Sequence, residues 1–128
     1  MKIFALIAAA VILSSPAKAR DFSATEKFIT YTVLAPVVAK CPSRVMIEGG
    51  AYKYAIANGL NFEVLGDAAG NAVLATIHKP YDKTKLIPFV TKYVELTIDF
   101  VGHELTRLEL SGFCERYGKI LVGAGIMK

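Results

Sequence analysis

Between residues 88 and 110 the polar positions Lys92, Glu95, Asp99, Gly102, Thr106 and Glu109 recur at steps of three and four. That rhythm places them on one stripe of a helix. The complementary face holds Phe89, Val90, Tyr93, Val94, Leu96, Phe100, Val101, Leu105 and Leu108, while Pro88 suits the first helical position and Gly112 the C-terminal cap. Residues 94–100 also alternate apolar and polar as a strand would. Six polar positions in phase outweigh that shorter alternation, and a helix is expected.

Upstream, Ser23 and Glu26 stand three apart ahead of an apolar run, the signature of a capping box. The first helix is expected to run from there through Phe28, Tyr31, Val33, Leu34, Val37 and Val38 to Lys40, with a kink or break at Pro36, which has no N–H to donate. Cys41-Pro42-Ser43 interrupts the chain, and a second helix is expected over residues 43–58, ended by Asn58-Gly59. Gly49 and Gly50 in its middle cost about 2 kcal/mol in helix propensity. Either the helix breaks there or another segment packs very close.

Residues 62–79 read equally well in two ways. One is a hairpin, with 62–65 and 72–77 flanking a Gly-Asp-Ala-Ala-Gly-Asn turn; the other is a short helix capped by Asp67. Residues 79–83 are a loop by composition, and residues 113–127 are expected to form a last helix carrying Gly118, Gly123, Ala124 and Gly125, too short to span a bilayer. The expected fold is mainly α, a single-domain bundle of four or five helices, with an α+β arrangement containing a hairpin at 62–77 as the alternative.

Composition changes this picture at the N-terminus. Lys2 precedes the apolar run of residues 3–13, and Ala17-x-Ala19 follows, which reads as a signal peptide over residues 1–19. Its removal leaves a mature domain of 109 residues, with 13 basic against 11 acidic side chains. A cytosolic enzyme, a polytopic membrane protein and a strongly basic nucleic-acid binder are therefore disfavoured, and a periplasmic location is expected, with secretion beyond the outer membrane left open. The two cysteines, Cys41 and Cys114, are expected to pair in an oxidising compartment. Closing so long a loop stabilises a small domain by about 4 kcal/mol in the chain-entropy picture.

Catalytic patterns are sparse. His103-Glu104-Leu105-Thr106-Arg107 opens like the zinc-protease motif but carries Arg107 where a second imidazole is needed. Asp99 lies four residues before His103, spacing for a helical ion pair. Ser23, Ser43 and Ser111 are the mature chain's serines, and neither Ser43 nor Ser111 stands in a nucleophile elbow. No glycine-rich phosphate loop is complete, and no cofactor is implied. Two interaction surfaces stand out instead. Lys79, Tyr81, Lys83 and Lys85 could meet an acidic partner or an anionic surface such as the cell wall. Ile120, Leu121, Ile126 and Met127 either complete the core or form a homodimer seam.

A signal peptide, about 110 mature residues, two distant cysteines and mostly helix give a layout similar to that of several unrelated periplasmic groups, among them acid-stress chaperones and immunity proteins of interbacterial toxins. The chaperones' Trp-Thr-Cys segment is missing here, as is any Trp. The expected function is binding of another macromolecule without catalysis, as an inhibitor or immunity factor does. A stress chaperone or carrier of apolar ligands is the second reading, and a cell-wall hydrolase using Glu104 or Asp99 the third.

Overall fold

A computed structural model describes residues 23–128, so the expected signal peptide lies outside the described residues. Four helices follow one another: α1 (Ala24–Val38), α2 (Gly50–Ala57), α3 (Phe62–Thr76) and α4 (Pro88–Gly123), with a 3-10 turn at Lys83–Lys85. The domain is the disulfide-stapled helical bundle that the periodicity predicts, and the hairpin alternative is overturned.

The capping box starts α1: the Glu26 amide donates to Ser23 Oγ at 3.1 Å, and the Ser23 amide donates to Glu26 Oε1 at 3.0 Å. Phe28, Ile29, Tyr31, Val33, Leu34, Ala35 and Val38 are all buried, so α1 is enclosed on most sides rather than amphipathic. Pro36 does not break it. The proline sits in the last turn, where the helix already ends, and the Ala39 amide still donates to the Ala35 carbonyl.

The expected second helix is shorter than residues 43–58, beginning only at Gly50. Ser43 and Gly49 take positive φ angles of 67° and 75°, and between them the backbone is extended. There it pairs with the C-terminal tail: the amides of Val45 and Lys128 donate to each other's carbonyls at 2.9 and 3.0 Å, and the Ile47 amide donates to the Ile126 carbonyl at 2.9 Å. Both meanings of the double glycine are realised. Gly49 supplies the left-handed turn, and a Cβ on Gly50 would stand 2.6 Å from the Gly125 carbonyl oxygen.

Over residues 62–76 the helix prevails, capped by Asn61, whose side chain accepts from the Val64 amide, and not by Asp67. Leu65, Ala68, Ala69, Ala72, Val73 and Thr76 follow helical spacing, and the three alanines are fully buried. Their small side chains let α3 lie close on its neighbours, a packing gain that local turn signals such as Gly-Asp and Gly-Asn do not register.

All six positions of the polar stripe on α4 are exposed, as expected. Its ends differ from expectation. Gly112 is not a terminus; the helix resumes and continues to Gly123, interrupted only at Glu109 (φ 59°, ψ 172°). The disulfide, with 5.9 Å between its Cα atoms, fixes the stretch after this break to the end of α1.

Candidate functional site

Where α1, the residue 46–51 turn and the start of α3 meet, the surface opens into a groove of about 440 Å³. Phe28, Tyr31 and Phe62 give it aromatic walls, joined by Met46, Pro36 and Ile126. The rings hold one another: Phe62 meets Phe28 edge-on at 6.1 Å and Tyr52 edge-on at 5.4 Å, while Tyr31 meets Tyr54 at 5.4 Å. Such edge-to-face pairs set the walls without closing the space between them. The size and the mostly apolar lining are those of a ligand site.

Gly66 and Pro36 belong to the lining as well. Gly66 of α3 lines the groove, and a Cβ placed there would have no heavy atom within 4 Å. Pro36, also in the lining, has no N–H for the Thr32 carbonyl one turn before it. The rim is acidic. Glu63 and Asp67, one helical turn apart on α3, are exposed beside the groove, and Lys85 approaches Asp67 at 3.6 Å. Met46 in the wall, and Tyr52 and Ile56 beyond it, stay about half exposed, at 47%, 52% and 56%.

The carboxylate singled out from the zinc-protease-like string is placed quite differently. Glu104 is buried, accepts from Tyr117 at 2.6 Å, and accepts two hydrogen bonds from Arg107 at 2.9 Å each. The Arg107 hydrogen bond holds its pKa below the usual carboxylate range against the opposing effect of burial. Burial and the bond to Glu104 push the Tyr117 hydroxyl the other way, well above the usual phenol range. This is a structural clamp, and a carboxylate held in its charged form makes a poor general acid. His103 and Asp99 stand 3.7 Å apart on the exposed face of α4. Among the described residues no three metal-ligating side chains gather to hold an ion.

Lys79, Tyr81, Lys83 and Lys85 are exposed as a loop folded onto α3, where the Asp82 amide donates to Asn71 Oδ1 at 2.8 Å. Leu121, Ile126 and Met127 are buried in the chain's own core and Ile120 packs partly against it, with Ile126 also reaching the groove. Cys41 and Cys114 are bonded. The groove residues Phe28, Met46, Phe62 and Gly66 were not picked out as a site from sequence, because four separated segments build it and none carries a motif. Six tyrosines in a chain without tryptophan are the one hint of an interaction surface in the composition, and Tyr31 is in the wall.

No family model, curated protein or solved structure matches the chain.

Proposed function

We propose that this domain is an exported, non-catalytic binding protein that grips an apolar segment of another protein in the groove between α1 and α3, acting stoichiometrically as an inhibitor or immunity factor does. The observation that carries this reading is an aromatic-walled groove that the described residues leave open, continuous with exposed apolar side chains. A buried pocket alone would suit a small ligand. Here Tyr52 packs on the groove wall at Phe62, and Ile56 lies one turn farther along α2, extending the apolar surface outward in the manner of a protein interface.

Export agrees with the disulfide, which persists in an oxidising compartment, and with the absence among the described residues of any helix long and apolar enough to cross a membrane. The periplasm is the compartment proposed. The hydrolase reading loses support because Glu104 is buried in its clamp.

Site-directed photo-crosslinking in living cells tests the proposal. A photoreactive phenylalanine at Met46 should give one discrete adduct, absent when the same group replaces Glu95 on the far stripe of α4 and lost when Gly66→Trp fills the groove. Adducts that are indifferent to Gly66→Trp, or equal from both positions, would remove the groove as the binding surface.

A further inference from the structure

We propose that the groove selects segments in which large apolar side chains are accompanied by Lys or Arg; this rests on the groove being a protein-binding site and names the chemistry of its partner. Among the described residues every fixed charge in the lining is negative. Glu63 and Asp67 contribute both carboxylates, and no cationic side chain is among the described lining residues. They stand one turn apart on the same face of α3, so a basic side chain emerging from the groove meets both. Glu63 has no ion pair within 4 Å among the described residues, and the pair between Asp67 and Lys85 is half exposed, hence weak and readily exchanged.

The groove's other polar feature points the same way. Thr32 is in the lining; Pro36 leaves its carbonyl without the usual helical donor, and its hydroxyl already donates to the Phe28 carbonyl at 2.8 Å. The site therefore offers acceptors and negative charge around aromatic faces, which themselves attract cations. An acidic segment would meet repulsion from both carboxylates, so the rim discriminates as well as attracts. Phe28 and Pro36 are eight residues apart on α1, a wall of about 12 Å, enough for two turns of a partner helix.

Selection from a phage-displayed library of random dodecapeptides, using the oxidised full chain as bait, tests this, followed by fluorescence anisotropy on the leading peptide. Enriched peptides should combine two or more large apolar residues with Lys or Arg. Glu63→Gln with Asp67→Gln, two exposed changes, should weaken the leading peptide about tenfold, and should have no effect on the same peptide with its basic residues replaced by Gln. Gly66→Trp should abolish binding of both peptides. Neutral or acidic consensus peptides that Gly66→Trp still blocks, or a leading peptide insensitive to the double change, would overturn the charge selection and leave the groove standing. No enrichment, enrichment indifferent to Gly66→Trp, or uptake of a fluorescent fatty acid in place of any peptide would overturn the peptide-binding groove itself.

Discussion

The Tyr117 hydroxyl donates to Glu104 Oε1 at 2.6 Å, joining two stretches of α4 that lie on either side of the break at Glu109. Arg107 completes the clamp from the near side with two further hydrogen bonds. Separation of the halves would leave the buried Tyr117 hydroxyl without its acceptor and take one of three hydrogen bonds from Glu104, so the contact sets their relative direction. A hydrogen bond to an ionised group contributes about 1.5–3 kcal/mol. Tyr117→Phe should lower stability by about that amount in urea unfolding. The pH dependence has a definite sign. The folded pKa of Glu104 lies below its unfolded value, so its contribution is complete above the ordinary carboxylate range and is lost as pH falls through the folded pKa. The stability difference between wild type and Glu104→Gln should shrink below about pH 4.

Glu109 itself occupies backbone space that is essentially reserved for glycine. Its side chain is exposed, so little packing is at stake. Glu109→Gly should therefore raise stability by about 1 kcal/mol, whereas Glu109→Ala should give no comparable gain. Thermal melts of the two variants, measured side by side, check this. A rise with both would show that relief of backbone strain is not the cause.

The break marks the limit of what the pattern along the chain discloses. The stripe from Lys92 to Glu109 was legible because each position faces water, and the capping box at Ser23 because its residues interact locally. A helix after Gly112 was expected as well, but its direct continuation from α4 was not. It depends on the clamp to Tyr117 and on the Cys41–Cys114 bond, both contacts between residues distant in sequence. The same holds for the start of α2, which is set by pairing of residues 45–47 with the tail, and for the groove, whose walls come from four segments. Residues 62–79 were ambiguous because glycine and asparagine signal turns locally, while the alanines that decide for helix do so only by fitting against α1 and α4.

Glycines of opposite expected sign provide a further test of the packing. Gly66 and Gly70 are inside α3 with open space where a Cβ would stand, so Ala at either should stabilise by about 0.5–1 kcal/mol through helix propensity. At Gly50 the added Cβ would press on backbone, the Gly125 carbonyl, which cannot rotate away as a side chain would. Gly50→Ala should cost about 1–3 kcal/mol. Denaturant midpoints of the three variants should fall on both sides of wild type; three changes of one sign would contradict the packing at the tail.

At alkaline pH two tyrosines should govern stability. Burial, helped by the neighbouring Tyr54, pushes Tyr31 up to about 12, and burial with the bond to Glu104 pushes Tyr117 higher still. Both folded values exceed that of an unfolded tyrosine, about 10. Their stabilising effect is complete below that value and declines as pH rises through the folded range. Unfolding free energy should drop between about pH 10 and 12, and Tyr31→Phe should flatten the drop. An unchanged slope in that variant would place the linkage elsewhere.

The disulfide ties the end of α1 to the stretch of α4 that follows the break, and between the two cysteines lie α2, α3 and most of α4. Removing it releases a loop whose closure is worth about 4 kcal/mol, a large part of the roughly 5–15 kcal/mol that holds a domain of this kind. Cys41→Ser with Cys114→Ser should lower the urea midpoint sharply, and dithiothreitol should do the same to wild type. The loss should not be even along the chain. Residues 110–128 reach the core through Leu121, Ile126 and Met127, and their orientation depends on the staple and the Tyr117 clamp. Hydrogen exchange should therefore quicken first at residues 110–128 and at their pairing partner, residues 45–47. Equal acceleration in α1 and α3 would show instead that the domain opens as one unit.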